Sequence, residues 1–426
     1  MAQLSDDCFA FGGPLMTVAD AERVIAERIS PVAELETEVL RSARGRVLAV
    51  DIASPVDLPP FDNSAVDGYA VNGSGLTPNG ETRCRVIDSV FAGGQSTLKP
   101  EAGQAIRIFT GAPMPDGTDT VFMQEDCCTH GNDVILPAGL KRGANRRKQG
   151  EDVQKGSVVL RQGARIAPQH VAMAAAVGLT HLPVRRRVRV ALFSTGDEVC
   201  EPGTPLKPSA IYDANRALLA AMAETLGAEV TDLGILKDDT EMLAKALRTA
   251  AANHDLVLTS GGVSTGEADY VRAAVEQAGT LVFWRVAIKP GRPVALGVLR
   301  GEGSNNQSAF AGLPGNPVAA FVTFARIVRP LLLRLAGANP EPLIALPVTA
   351  GFAYRKKAGR REYVRVSLKR GEDGALVAEK FRQDGAGVIS SLTRTDGLVE
   401  LPEDVLDVAP GTTVGFLPYA AVMGCG

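Results

Sequence analysis

Between residues 186 and 336 the chain alternates short apolar, β-type runs with stretches of helical periodicity, and this alternation restricts its fold more than any other feature. Val188–Phe193, Glu229–Ile235, Leu256–Thr259, Leu281–Ile288 and Val294–Val298 read as strands. Asn215–Leu226, Thr240–Ala252 and Asn316–Leu335 read as helices, and Gly227 is placed to end the first of them. Such alternation predicts a parallel sheet with helices on both faces. Ligands of such sheets bind beyond the carboxyl ends of the strands.

The polar loops of this region fall at that edge. They are Ser194-Thr195-Gly196-Asp197-Glu198, Lys237-Asp238-Asp239, Lys289-Pro290-Gly291-Arg292 and Pro314-Gly315-Asn316-Pro317. The most informative loop lies in Asp255–Asp269, where an apolar run leads into a turn holding Gly261, Gly262 and Gly266 and then a helix. Glycine permits positive φ and close backbone approach, and the exposed N–H groups of such a turn form a cradle for anions. Glu267 and Asp269 set carboxylates beside that cradle, a pairing suited to a phosphate with a divalent metal.

The 426 residues suffice for two to four domains. Residues 15–49 and 150–185 read as two parts of one split helical unit: Thr17 caps a helix stopped by Pro31, 34–42 reads as a second helix, and Pro168–Val177 as another. Residues 50–149 carry frequent Gly and Pro between short β-type runs, which predicts an inserted all-β domain. After a linker at 337–341, residues 341–426 alternate apolar and polar positions, as a small barrel-like β domain does. The fold class expected is therefore multidomain, α/β plus β.

A net charge of −3 argues against a general nucleic-acid binder. No run approaches a membrane span, and the N-terminus lacks a signal pattern. Six cysteines without a Cys-x-x-Cys pair make no disulfide framework, and four histidines show no metal-ligand spacing. A reducing cytoplasm is the expected location. No Ser-His-Asp or Cys-His grouping suggests covalent catalysis.

These loops, with Phe61-Asp62-Asn63-Ser64-Ala65-Val66-Asp67-Gly68-Tyr69-Ala70, Thr110-Gly111-Ala112-Pro113 and Gly150-Glu151-Asp152, resemble the molybdopterin molybdenumtransferase family, the MoeA type also found as the gephyrin E domain. The resemblance spans residues 15–420. It implies an L-shaped homodimer of four-domain subunits, with an active site shared between them. It also implies an α/β domain akin to the adenylyltransferase that supplies the substrate. The implied reaction takes adenylylated molybdopterin and molybdate, needs Mg²⁺, releases AMP and leaves molybdenum on the dithiolene.

On that resemblance, Lys289 and Arg292 hold oxyanions, one as a point charge and one as a planar fork. Arg292 departs from the lysine frequent there in the family. Asp238, Asp269 and Glu198 are the expected Mg²⁺ carboxylates, while Asp67 and Asp152 complete the site from other domains. Thr110 offers a hydroxyl, and Gly261, Gly262, Ser264 and Gly266 offer donors to phosphate. Pro314 shapes a rigid turn and Asn316 caps the helix that follows. From the C-terminal domain, one of Arg360 and Arg361 and one of Ser390 and Ser391 reach the anion site. Arg355-Lys356-Lys357 reads equally as a solvated hairpin face. A nucleotide hydrolase on the same scaffold and a receptor-clustering scaffold are the alternatives.

Overall fold

The computed structural model describes residues 15–424 except 33, 78, 264–269 and 304–306. Its centre is a six-stranded sheet in the order Glu229–Leu236, Arg189–Thr195, Leu256–Ser260, Gln307–Leu313, Pro293–Arg300, Gly279–Arg285. The first four strands run parallel. The last two pair antiparallel, so the sheet is mixed rather than wholly parallel. The sequence reading lacked the Gln307–Leu313 strand. It follows Pro293–Arg300 after a connection too short for a crossover helix, which forces the antiparallel pairing. Because Pro293–Arg300 runs backwards, Lys289–Arg292 at its start still meets the carboxyl ends of the parallel strands.

Period-two alternation sends side chains to both faces. Val190, Leu192 and Leu258 pack with Leu219 and Met222 of the Ala214–Thr225 helix and with Phe321 and Leu331 of the last helix. Ala191, Phe193 and Phe310 pack with Leu243 and Leu247 of Thr240–Asn253 and with Val271 and Val275 of Tyr270–Ala278. Asp213 and Asp239 cap two of these helices, accepting from Arg216 N and Met242 N. The single helix expected over 316–335 is interrupted by a π segment at Phe324–Val328. Pro330 carries no N–H to donate to the preceding turn, and the backbone widens there.

Thr17 does cap the first helix, Val18–Arg28, through its hydroxyl oxygen and Asp20 N. The expected helix at 34–42 is instead a strand, Leu35–Val39, followed by one 3₁₀ turn at Leu40–Ser42. The Leu-Glu-Thr-Glu-Val alternation puts Glu36 and Glu38 on one side, and both grip the buried Arg46 guanidinium while the strand pairs with His181–Arg185. Residues 151–185 likewise contain strands at Val158–Leu160 and His181–Arg185 around one helix, Pro168–Ala176.

Residues 63–136 hold a six-stranded β sheet in which Thr82–Val90 and Gln104–Ile108 are the one parallel pair among the described residues. The C-terminal strands Arg361–Arg370, Leu376–Lys380, Leu346–Ala350, Thr413–Pro418 and Gly397–Leu401 close on themselves as a five-stranded barrel. The short Ile288–Lys289 strand adds to its Arg361–Glu362 edge, parallel, with Lys289 opposite Glu362. Among the described residues, no helix is long and apolar enough to cross a membrane.

Candidate active site

Two adjoining hollows lie between the carboxyl edge of the central sheet and the barrel, and both are lined by Pro293, Pro314 and Asn316. The larger, about 600 Å³, takes in Thr195, Glu198, Asp213, Asn215, Asp238 and the Ser260–Val263 turn. The smaller, about 250 Å³, lies between Lys289–Gly291 and barrel residues Tyr354, Arg365 and Lys380.

The floor of the larger hollow is fixed by backbone geometry. Gly261 and Gly262 have φ of +91° and +67°. A Cβ would stand 2.5 Å from Thr195 O at Gly261 and 2.3 Å from Val271 Cγ2 at Gly262, so neither position accepts a side chain. The buried Asn215 amide donates to Ser260 Oγ at 2.8 Å and Gly315 O at 2.7 Å, tying the glycine turn to the Pro314-Gly315 turn. Thr195 Oγ1 donates to Asp238 Oδ1 and so orients that carboxylate into the hollow. Ser194 lines the same space, and its Oγ is buried without a hydrogen-bond partner, which suits a polar occupant.

The smaller hollow is organised by a carboxylate that sequence reading missed. Glu362 is 1% exposed. It accepts from Lys289 Nζ at 3.0 Å, Tyr354 OH at 2.7 Å and Arg360 Nε at 2.7 Å. Burial opposes ionisation of Glu362, yet the hydrogen bonds from Tyr354, Lys289 and Arg360 hold it below the ordinary value. Burial likewise opposes the Lys289 ammonium, and its bonds to Tyr354 and Glu362 raise it. Lys289 is thus a charged, oriented cation whose side chain is partly open to solvent. Glu362 was hidden in sequence by its basic neighbours, Arg360-Arg361, in a run that read as a hairpin face.

The remaining candidates divide clearly. Arg360 joins the Lys289 cluster, whereas Arg361 turns away and pairs with Glu400 at 2.8 Å and Glu403 at 3.0 Å. Arg292 is exposed, lines neither hollow and makes no ion pair among the described residues. Asn316 holds the N-cap position by its backbone alone, and its side chain makes no capping bond and lines both hollows. Ser391 is buried and donates to Val388 O, while Ser390 is partly exposed beside Ile389, which does line the larger hollow. Lys356 is no solvated residue: it is 7% exposed, its Nζ donates to Arg360 O at 2.8 Å, and burial lowers its pKa.

Asp67 and Thr110 are brought together in the small β domain, where Thr110 N and Oγ1 both donate to Asp67 Oδ1 at 2.7 Å. Those bonds hold Asp67 below the ordinary carboxylate value. Asp152 is exposed beyond that domain, its N–H donating to Leu58 O. None of these three lines the hollows of its own chain. Ser264, Gly266, Glu267 and Asp269 lie outside the described residues.

A glycine-floored hollow holding Asp238 and Glu198 adjoins a cation cluster around the buried Glu362, and the two form one polar cleft between the central sheet and the barrel. Residues 16–178 match the MoeA N-terminal region (domains I and II), 191–334 the probable molybdopterin-binding domain, and 347–419 the MoeA C-terminal region (domain IV). The chain is 37% identical over 415 residues to molybdopterin molybdenumtransferase of Haemophilus influenzae, covering 96% of this chain and all of the relative. It is 35% identical over 410 residues to molybdopterin molybdenumtransferase 2 of Mycobacterium tuberculosis, covering 93% and 98%. The solved molybdopterin biosynthesis MoeA protein of Pyrococcus horikoshii superposes with a TM-score of 0.80 at 30% identity, covering 95% of this chain and all of that one. The chain belongs to the MoeA family of molybdopterin molybdenumtransferases, and it is a transferase of molybdenum-cofactor biosynthesis.

Proposed function

We propose that this protein transfers molybdenum from molybdate to adenylylated molybdopterin, with Mg²⁺, releasing AMP. The observation that carries the reading is the junction of the two hollows. A phosphate-type cradle meets a cation cluster there, across the shared Pro293, Pro314 and Asn316. The substrate diphosphate lies on the Gly261–Val263 turn, where two glycines without side chains let it approach the backbone. Molybdate lies near Lys289 and Arg360, the two cations that meet on Glu362. Two dianionic groups repel, and preorganised cations and dipoles that neutralise them supply the main catalytic effect.

The residues present fit magnesium. The ion takes hard oxygen ligands and is held by one or two carboxylates together with waters and substrate phosphate. Asp238, already oriented by Thr195, and Glu198 are the carboxylates of the larger hollow, and Asp269 is the third proposed ligand. When bound, Mg²⁺ supplies charge neutralisation and polarises the phosphoryl oxygens. The protein's own groups hold the diphosphate against the turn, keep Lys289 charged and position the second anion.

In this reading the Asp67–Thr110 pair and Asp152 serve the cleft of a second subunit in a homodimer, since they do not line their own. The cytoplasm is the proposed location. The adenylyltransferase that makes the substrate is the proposed upstream partner. The test is AMP release from adenylylated molybdopterin with Mg²⁺, with and without molybdate, by the wild type and by Asp238→Asn. Release that requires molybdate and collapses in the variant supports the proposal. Hydrolysis indifferent to molybdate would make the protein a nucleotide hydrolase, and binding without AMP release would make it a scaffold.

A further inference from the structure

The glycine turn and the Pro314-Gly315 turn leave neighbouring parallel strands, Leu256–Ser260 and Gln307–Leu313, but serve different spaces. Of the two hollows, Gly261, Gly262 and Val263 line the larger alone, whereas Pro314 and Asn316 line both. The strands stay paired as far as Gly261 N, which donates to Leu313 O at 3.0 Å. Beyond that bond the turns still run close, since a Cβ on Gly315 would stand 3.9 Å from Gly261 Cα. A third element spans them. The Asn215 carboxamide, on a residue 8% exposed, gives one hydrogen to Ser260 Oγ, where the glycine turn begins, and the other to Gly315 O. Gly315 O can only accept, so the amide cannot be reversed.

Asn215 stands on a fixed support. It is the second residue of the Ala214–Thr225 helix, whose first turn is capped by Asp213. The next residue, Arg216, is buried and pairs with Asp213 Oδ2 at 3.4 Å, Asp232 Oδ1 at 3.3 Å and Glu201. Those pairs bind the helix start to the Glu229–Leu236 strand, and Leu219 and Met222 bury the same helix against the sheet. With its own position set, the amide passes a shift of one turn to the other instead of absorbing it. Its bond to Ser260 is fully buried, and a buried bond is costly to leave unmade.

We propose that Asn215 is a positioning residue that couples the two hollows: an anion in the smaller one, pressing on Pro314 and Asn316, sets the glycine turn of the larger. The inference rests on the reading that molybdate and the substrate diphosphate occupy these hollows. Asn215 acts through the two turns and not on the reacting atoms. Its effect is to make AMP release wait for the second anion. Coupling of this kind travels through a connected hydrogen-bond network, and Ser260 and Gly315 are its two ends.

The test uses the full chain with Asn215→Ala, which removes both bonds, and Ser260→Ala, which removes one and keeps the other. The first readout is the ratio of AMP release with molybdate to release without it. This ratio does not depend on how much of a variant is folded, so a merely structural role leaves it unchanged. The expected fall is about tenfold in Asn215→Ala, a usual size for coupling between two sites, and smaller in Ser260→Ala. The second readout needs no turnover. Molybdate alone is added, and hydrogen–deuterium exchange is followed over 256–263, a segment that lines no part of the smaller hollow. Slower exchange there is expected in the wild type and not in Asn215→Ala. A large wild-type ratio that persists in both variants overturns the proposal. So does a molybdate effect on exchange that is absent from the wild type or survives in Asn215→Ala. If the wild type shows the exchange effect but releases AMP equally with and without molybdate, the insertase reading fails and the coupling stands.

Discussion

Replacing Glu362 by Gln removes the charge that three donors share, and its consequence can be worked from the geometry. At the 3.0 Å separation of Lys289 Nζ and Glu362 Oε2, the pair interaction is about 5–6 kcal/mol at an effective dielectric of about 20. Lys289 is 42% exposed and Arg360 32%, so solvent screens much of that. Glutamine still accepts one bond, but its amide hydrogens then confront a cation. The net loss expected is about 2–4 kcal/mol, which lowers the thermal transition of a 426-residue chain by about 2–5 °C.

The pH dependence supplies the sharper check. Glu362 titrates below its ordinary value of 4.5 when folded, so its contribution is complete above pH 4.5 and is lost as pH falls through the depressed value. Lys289 titrates above its ordinary 10.5, so its contribution is complete below pH 10.5 and fades as pH rises through the raised value. Scanning calorimetry of wild type and Glu362→Gln should give a constant difference between those limits, narrowing on the acid side where a protonated Glu362 resembles glutamine. Equal stability at pH 7, or a gap that persists undiminished in acid, would refute the assignment of Glu362 as the organising charge.

Gly261→Ala places a methyl 2.5 Å from Thr195 O at a φ of +91°, and it should cost more than about 2 kcal/mol together with most AMP release; a normal thermal midpoint would contradict this. Asp238→Asn should shift the magnesium titration of AMP release to concentrations at least about tenfold higher, and an unchanged titration would remove Asp238 from the metal site. Burial and then Asp126 push the Cys127 thiol up to about 11, so iodoacetamide at pH 8 should label exposed Cys128 well before Cys127. Peptide mass spectra showing equal rates at the two cysteines would contradict that order.

Local chemistry made much of this legible. Thr17 acts through the next few residues, and the glycine turn declares itself because only glycine tolerates its φ values. The misread segments are those decided by distant partners. Leu35–Val39 became a strand because His181–Arg185 lies beside it and Arg46 waits for two glutamates. The Gln307–Leu313 strand was masked by the small residues around it, although the parallel centre of the sheet depends on it. At the site, Lys289 was readable from its Pro-Gly setting, but Glu362 was not: its partners lie 73 residues upstream and within a cationic run. Arg360 and Arg361 were inseparable in sequence because Arg360 ends the turn and Arg361 opens the strand, and sequence does not name that boundary or the side each faces.

The pairing of Ile288–Lys289 with Arg361–Glu362 also bears on modularity. A strand from one unit is sewn into the edge of the next, and Tyr363, Leu398 and Leu417 of the barrel share the apolar cluster of the central sheet. The barrel is therefore not a cargo domain that can be trimmed or exchanged while the rest keeps its chemistry. A chain cut after residue 336 would retain the glycine turn but leave Lys289 without the carboxylate that aims it. Grafting a relative's barrel would succeed only if the graft brought its own counterpart of that two-residue seam.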